Sequence, residues 1–288
     1  EMLRSLVGSE MCIRDRKNPD KEVRPFVRSN GRLYIPGSSI KGALRTALAS
    51  HALPRKWRQP NEWRHEAAMQ EPFGLDANDT STDPLRFLSV SDSFLPEAAT
   101  LIDRSEVVKA GGVLRQPPIQ PVQERTLALA LEEPASVIEV MIALDGRAAQ
   151  PQLREPARFT AEDVILRTTS FHLHLFQEEA KRFLPQRAAK VLRDWLASRS
   201  GPGGAPPLRP DGSPTPGFVL LRLGRFGHFE SKSLEGVRRG EFFFPKTKEK
   251  RRGGPNEWGT TRTVTRDAKG NPIPFGWVIG WVVKEERA

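Results

Sequence analysis

The sequence predicts an α+β protein, in which helices and antiparallel strands occupy different parts of the chain. A short apolar run, a glycine turn and a helical pattern follow one another in residues 33–53. Apolar residues at spacings of three and four across 176–199 predict an amphipathic helix. Strand-like runs separated by turn residues, as in 260–283, predict hairpins.

The element nearest the N-terminus is a strand that leads into a helix. Leu33–Ile35 is a short apolar run, and Pro36-Gly37 ends it with a turn. Ser38-Ser39 stands where a helix cap is expected, because serine hydroxyls accept hydrogen bonds from first-turn amides. Residues 40–53 then carry the helical pattern.

The middle of the chain predicts a strand pair followed by a helix. Arg125–Ala130 and Ser136–Leu144 are apolar runs joined by a turn, and we expect them to pair. Thr160 predicts the cap of a helix over 161–168. The alternation in 171–176 (FHLHLF) would put both histidines on one face of a strand.

The last third of the chain begins with the amphipathic stripe of 176–199, which we expect to break at Pro185. Residues 201–216 are rich in glycine and proline and predict a linker. Gly217–Leu223 predicts a buried strand. Two strand-like runs in 260–283 flank a turn-rich stretch and predict one long hairpin.

Composition narrows the class of function. The 288 residues carry 45 Lys and Arg against 35 Asp and Glu, a net charge of +10, which favours a polyanionic partner. No apolar run approaches the roughly 20 residues of a membrane helix, so no membrane partner is expected. A single cysteine excludes an internal disulfide framework and a cysteine-based zinc site.

Residues 1–16 differ in character from the rest of the chain. The stretch MCIRDR at 11–16 resembles a translated sequencing-adapter end. We therefore expect 1–16 to be a scar outside the natural protein, and the first unit to lack its front. Cys12 lies within this stretch, so we expect the lone thiol to carry no chemistry.

The segment 35–46 (IPGSSIKGALRT) carries the most specific pattern. A glycine turn that opens a helix presents backbone amides and the positive end of the helix dipole, which suits phosphate. Lys41 and Arg45 are four residues apart, so they share one helical face. Lys41 precedes Gly42, the reverse of a P-loop, so nucleotide hydrolysis is not indicated. A strand–turn–helix with a solvated cationic face is the alternative.

Tyr34–Thr46 resembles the signature of the RAMP superfamily of CRISPR-associated proteins. Within it, the C-terminal part resembles the type III-A (Csm) subunit family that caps the crRNA 3′ end, the fifth Csm subunit. The segments that carry this likeness are 221–227 (LRLGRFG), 231–233 (SKS), 244–247 (FPKT) and 274–278 (PFGWV). The resemblance spans most of 25–283.

The resemblance implies ferredoxin-like (RRM-like) domains, with the N-terminal unit incomplete. It divides the chain into a partial RAMP region with helical insertions at 17–200, the linker at 201–216, and a basic C-terminal region at 217–288 that holds a glycine-rich loop. From Arg222 onward there are 15 basic and 8 acidic residues, as a phosphate-binding surface requires.

The resemblance also implies which residues lie near crRNA. They are Gly37, Ser38, Ser39, Lys41, Gly42, Arg45, Gly224, Arg225, Gly227, Lys232 and Lys246. Aromatic residues interleave with cations in the same region, an arrangement that suits single-stranded RNA. These aromatics are Phe226, Phe229, Phe242–Phe244 and Trp258; a place in the core is the alternative for each.

Implied partners are crRNA, the other Csm subunits, above all the repeated backbone RAMP subunit, and host nucleases that mature the crRNA. The implied role is non-catalytic, cytoplasmic and antiviral, without a cofactor or a metal. Histidine is the usual acid–base group of metal-independent RNA cleavage. His51 ends a helix and His228 lies in the glycine-rich loop, but no pattern makes either of them catalytic.

Two functions of different class therefore stay open. The first is the non-catalytic crRNA-binding subunit, and the second is a RAMP endoribonuclease that processes CRISPR repeats. A RAMP subunit of the related Cmr complex is a further alternative to the first.

Overall fold

The computed structural model describes residues 23–53, 71–76, 78–95, 100–115, 122–126, 139–151, 153, 155–234, 241–244, 249–252, 258–267 and 269–283. Within them the chain forms three α-helices and fourteen short strands, which confirms the α+β prediction. The helices are α1 (Gly37–Ala52), α2 (Ala161–Phe183) and α3 (Gln186–Ala197).

The strands are short, and each pairing between two of the described strands is antiparallel. Before α2 lie β1 (Arg28–Ser29), β2 (Arg32–Ile35), β3 (Leu88–Val90), β4 (Ser93–Phe94), β5 (Thr100–Arg104), β6 (Glu106–Lys109), β7 (Val122–Thr126) and β8 (Ile142–Leu144). After α3 lie β9 (Phe218–Arg222), β10 (Glu241–Phe244), β11 (Glu249–Arg252), β12 (Thr261–Arg266), β13 (Pro272–Pro274) and β14 (Trp277–Trp281).

These strands form two three-stranded sheets and four pairs. The larger sheets have the orders β1-β2-β4 and β13-β12-β6, and the pairs are β10-β11, β14-β9, β3-β8 and β5-β7. The register between β2 and β4 places Tyr34 opposite Phe94. Strands distant in sequence therefore meet, since β6 pairs with β12 at the far end of the chain.

Helix α2 begins at the predicted cap. The Thr160 hydroxyl accepts a hydrogen bond from the Asp163 amide at 3.1 Å, and the Asp163 carboxylate accepts one from the Thr160 amide at 2.9 Å. The helix then continues to Phe183, through 171–176. The predicted strand at FHLHLF is wrong, because those residues carry the buried stripe of a longer helix.

Pro185 separates α2 from α3, as predicted. Proline lacks the amide that would continue the helix, and here it occupies the N-cap position of α3. The apolar stripe of α3, with Leu192, Trp195 and Leu196, faces the core. Among the described residues, no helix is both long and apolar enough to cross a membrane.

Among the described residues, two clusters of buried apolar side chains form the core. The first lies between α1, β3 and the start of α2, and includes Leu44, Leu48 and Leu85. The second lies between the rest of α2, α3 and β9, and includes Phe176 and Phe218. Helix α1 packs on α2, so the two clusters are neighbours.

Of two predicted strand pairs, the second is wrong, and the first lies mostly outside the described residues. Arg125 lies in β7, which pairs with β5, whereas β8 pairs with β3; residues 127–138 lie outside the described part. The predicted hairpin at 260–283 exists only as β12 with β13, because β14 pairs with β9. Within the described residues, the strands β7, β8 and β14 each have a partner from another part of the sequence.

The regions before and after residues 201–216 pack against each other and contribute strands to one sheet. Strand β6 pairs with β12 across this segment, and α2 packs against β9. The segment itself turns tightly: the Gly201 amide bonds the Ala205 carbonyl, and an isolated bridge joins Leu208 to Pro214. The division of the chain at this segment stays a prediction from sequence.

Candidate nucleic-acid interface

The start of α1 is fixed by contacts with a distant loop. Gly37 is the first helical residue, and a Cβ atom there would collide with the Val90 carbonyl and lie 2.7 Å from the Ser91 carbonyl oxygen. The Gly37 amide donates to Asp92 Oδ1 at 2.7 Å. Glycine is needed here because the backbone of residues 90–91 occupies the space of a side chain.

The predicted serine cap is wrong. Pro36 occupies the N-cap position without a side-chain hydrogen bond, and the carboxylate of Asp92 takes the role of capping acceptor. Ser38 and Ser39 lie exposed in the first turn. A negative charge thus already sits at the positive end of the helix, so the helix dipole is less available to a phosphate.

The two cations of this segment have different surroundings. Arg45 forms an ion pair with Asp83 and is about three-quarters buried, while the other oxygen of Asp83 accepts the Leu85 amide at 2.9 Å. Lys41 is partly exposed and forms no ion pair with any described residue. Of the two, Lys41 is the cation that is free to meet a phosphate.

Gly42 lies beside Lys41 and faces open space. No atom lies within 4 Å of where a Cβ would stand, and the residue is exposed. The surface of α1 next to Lys41 is therefore bare, which leaves room for a ligand to approach the helix closely.

The glycine-rich loop follows β9. Gly224 has φ 79°, Arg225–Gly227 forms a short 3₁₀ turn, and His228 has φ 56°, a value rarely adopted by residues other than glycine. The turn Glu230–Lys232 then packs against α1. The structure thus brings the two predicted RNA-binding segments next to each other.

Arg225 and Lys232 are the exposed cations of this loop. The Lys232 ammonium lies 3.5 Å from the Arg225 carbonyl, and neither side chain forms an ion pair with a described residue. Gly227 is buried, and a Cβ there would lie 2.6 Å from the Ser231 hydroxyl. Lys246 lies outside the described residues.

Beneath the loop lies a cluster of four buried charges that sequence reasoning missed. The Glu179 carboxylate of α2 accepts hydrogen bonds from the two terminal nitrogens of Arg222, at 2.7 and 3.0 Å. It also forms an ion pair with Arg262, whose Nε lies 3.0 Å away. Arg262 also pairs with Glu230 at 2.8 Å. The Trp277 indole donates to Glu179 at 2.7 Å. All four charged side chains are almost completely buried, so each depends on the others for a neighbouring opposite charge.

This buried cluster holds the loop in place. Arg222 donates to the Phe226 carbonyl at 3.1 Å, and Glu230 accepts the Gly259 amide at 2.6 Å. A signal for it exists in the sequence: Arg222 ends an apolar strand (FVLLR), and Glu179 stands within the apolar stripe of α2. Charged residues at such core positions are rare unless they are paired.

Of the predicted aromatic contacts, Trp258 belongs to the core. It is 6% exposed and lies 5.2 Å from the Arg182 guanidinium and 5.5 Å from that of Arg262. Phe226 is half-buried against Phe275, with ring centroids 5.2 Å apart. The side chains of Phe242–Phe244 lie outside the described part.

His228 and His51 are the two acid–base candidates among the described residues. His228 Nε2 accepts the Thr263 amide at 3.2 Å, and burial, helped by Arg262, Arg222 and Lys232, lowers its pKa to about 3. Burial and the charge of Arg167 lower the pKa of His51 against the opposing effect of Asp163. Among the described residues, no three His, Cys, Asp or Glu side chains are grouped so as to hold a metal ion.

Two solved structures that resemble this chain contain Csm proteins. A chain in "Cryo-EM structure of Csm-crRNA-target RNA ternary complex in type III-A CRISPR-Cas system" aligns with a TM-score of 0.57 and 20% identity, over 91% of this chain and 76% of that one. A second match, "Crystal structure of T.onnurineus Csm5", has a TM-score of 0.45 and 19% identity, over 70% and 64%. A search of curated proteins gives no match.

The helices and small antiparallel sheets, together with the first of these matches, agree with the ferredoxin-like α+β fold that the resemblance implied. The family profile of the RAMP superfamily matches residues 6–272. The chain belongs to the RAMP superfamily.

Proposed function

We propose that this protein is the non-catalytic crRNA-binding subunit of a type III-A Csm complex, which caps the crRNA 3′ end and assists crRNA maturation in antiviral defence. The observation that carries the proposal is the pair of signature segments packed against each other, with Arg225 and Lys232 exposed, Lys41 partly exposed, and none of the three in an ion pair with a described residue. Cations on adjoining loops and helices can follow a phosphate backbone.

The same arrangement supports binding rather than cleavage. His228, the histidine nearest these cations in sequence, accepts a backbone amide, and its lowered pKa keeps it neutral at physiological pH. A neutral imidazole held in this way is a poor general acid. The partners in this proposal are crRNA, the backbone RAMP subunit and the nucleases that trim the crRNA, in the cytoplasm.

Fluorescence anisotropy with a labelled single-stranded crRNA tests the binding. Charge reversal at Lys41 should weaken binding about ten-fold and lower the slope of log K against log salt by about 1, since one phosphate contact is lost. Arg225→Glu and Lys232→Glu should act in the same way. The matched control is Lys190→Glu on α3, where Lys190 is 70% exposed and pairs with Asp194. Equal losses of RNA affinity in all four variants would show that net charge, and not the position of the cations, determines binding.

Metal-free incubation with a labelled CRISPR repeat tests the other class of function. Intact RNA is expected. Cleavage that disappears in His228→Ala or His51→Ala would replace the proposal with an endoribonuclease. Co-purification with the subunits of a Cmr complex, rather than a Csm complex, would assign the chain to that related assembly.

A further inference from the structure

The outer face of the sheet β1-β2-β4 carries an aromatic pair that the proposed function does not use. Tyr34 of β2 and Phe94 of β4 lie directly opposite each other in the register, with ring centroids 5.7 Å apart and planes inclined by 30°. The Arg32 guanidinium lies over the Phe94 ring, 4.6 Å from its centroid. The three side chains form one continuous stack across two strands.

Strand alternation explains why this stack faces outward. Successive side chains of a strand point to opposite faces. Leu33 and Ile35 point inward, where Leu33 is buried and Ile35 packs on the first core cluster. Tyr34 and Arg32 therefore point outward.

The stack is accessible to solvent. Phe94 is 41% exposed, an unusual value for a phenylalanine in a strand, and Tyr34 is half-buried. Val27, whose carbonyl accepts the Tyr34 amide at 3.4 Å, extends the apolar surface to the third strand and is 43% exposed. A ligand with a flat apolar face can therefore reach the rings.

The charge on this face matches a nucleic acid. Arg32 is exposed and forms no ion pair with a described residue, and its guanidinium lies over the Phe94 ring. A guanidinium next to exposed rings offers a base a stacking surface and its phosphate a cation.

The position of the stack also points to RNA. Strand β2 runs directly through Pro36 into the first turn of α1, and β4 follows Asp92, which caps that turn. The aromatic pair therefore adjoins the start of α1, the helix whose Lys41 the proposed function assigns to the phosphate backbone. The patch is two or three strands wide, which suits one or two bases rather than a large protein surface.

We propose that Tyr34, Phe94 and Arg32 form a base-stacking site for single-stranded RNA, reading no particular base. This inference rests on the proposed function, since it assigns a second type of contact to the same ligand. Stacking tolerates any base because every base has a π face. Phosphate contacts at Lys41 and stacking at Phe94 then bind different parts of neighbouring nucleotides.

The experiment compares variants of the full chain in anisotropy titrations with an unstructured, labelled single-stranded RNA. Phe94→Leu keeps an apolar side chain but removes the ring, and should weaken binding roughly ten-fold with an unchanged salt slope, because no charge is lost. Phe94→Trp restores a ring and should bind within about two-fold of the parent. The matched control is Val113→Ala, at an apolar residue that is 61% exposed on another part of the surface.

The outcomes separate the two proposals. An RNA with abasic sites should bind the parent and Phe94→Leu equally, since no base remains to stack. If the parent binds RNA and Phe94→Leu binds it equally well, the stacking site is overturned while the proposed function stands. If Phe94→Leu keeps RNA affinity but loses co-purifying Csm subunits, the face is a protein interface and the inference is overturned. If the parent itself ignores RNA, both proposals fail.

Discussion

The start of α1 and the glycine-rich loop present cations on adjoining surfaces, but different forces hold them. The helix start is positioned by steric fit and one hydrogen bond, between Gly37 and the loop that contains Asp92. The glycine-rich loop is positioned from below by four buried charges centred on Glu179.

The difference shows that a surface cation can be positioned by close backbone packing, as at the start of α1, or by buried ion pairs, as beneath the glycine-rich loop. A substitution at Gly37 changes only the steric fit between the helix start and the backbone of residues 90–91. A change beneath the loop leaves a charge without its partner in a nonpolar environment, which is far more costly. The predictions below test this contrast, beginning with the largest effect.

Glu179→Ala should have the largest effect. It leaves Arg222 and Arg262 buried without a shared carboxylate, a loss of about 3–5 kcal/mol in the free energy of unfolding, or failure to fold. Urea denaturation measures it. The control is the neighbouring Glu178→Ala, which removes a partly exposed ion pair with Arg182 and should cost about 1 kcal/mol or less. Equal costs would show that burial of the cluster is not decisive.

Acid should destabilise the protein through its buried histidines. His172 is fully buried, and neither ring nitrogen has a hydrogen-bond partner among the described residues. Burial, and then Arg222, lower its pKa to about 3, while a weak interaction with the Ala43 backbone opposes them without hydrogen-bond geometry. The pKa of His228 is also lowered to about 3.

The direction in which stability changes with pH follows from proton uptake by the unfolded chain. Between pH 6.5 and 3 the unfolded chain binds protons that the folded histidines refuse, so stability falls as the pH falls through this window. At pH 5 the loss should be about 2 kcal/mol for His172 relative to pH 7.5. His172→Leu should flatten the pH dependence of the urea midpoint. An unchanged slope in that variant would exclude His172 as its source.

Gly37→Ala should cost about 1–3 kcal/mol, because the new methyl group meets the carbonyls of Val90 and Ser91. Glycine at a turn often marks a backbone conformation that other residues avoid. The structure attributes the need for glycine here instead to close approach, since Gly37 does not have a positive φ. Thermal denaturation measures the cost, and a variant as stable as the parent would show that residues 90–91 can move aside.

Local features of the fold were predictable, because their causes lie within a few residues. The capping box of Thr160, the break at Pro185 and the strand–turn–helix at 32–52 each depend on neighbours in sequence. The misassigned strand at 171–176 shows the limit of short patterns. Six residues that alternate cannot be told apart from part of a helical stripe whose remaining positions lie further along the chain.

The support of the candidate site was not predictable, because its partners are far apart in sequence. Asp92 caps an amide 55 residues away, and Glu179 meets Arg222 and Trp277 at separations of 43 and 98. The sequence does predict which segments carry the cations. It cannot predict that Asp83 neutralises Arg45 and leaves Lys41 free.

Arg45→Gln sharpens this distinction within one helix. It removes the ion pair with Asp83 and should cost about 1 kcal/mol of stability, since the pair is partly exposed. RNA affinity should change little, in contrast to Lys41→Gln, which should lower affinity without lowering stability. Denaturation and anisotropy on the same two proteins measure both quantities. The reverse pattern would make Arg45 the cation that contacts RNA.

Gly42→Ala has the smallest expected effect and the opposite sign to Gly37→Ala. The same methyl group is added to the same helix, but at Gly42 it meets no atom within 4 Å. Alanine loses less conformational entropy than glycine in a helix, so stability should rise by up to about 1 kcal/mol. Gly42→Phe should fold equally well yet weaken RNA binding, because its ring covers the bare surface beside Lys41. If Gly42→Phe binds RNA as the parent does, the ligand does not approach α1 at this turn, and its path must run over the glycine-rich loop alone.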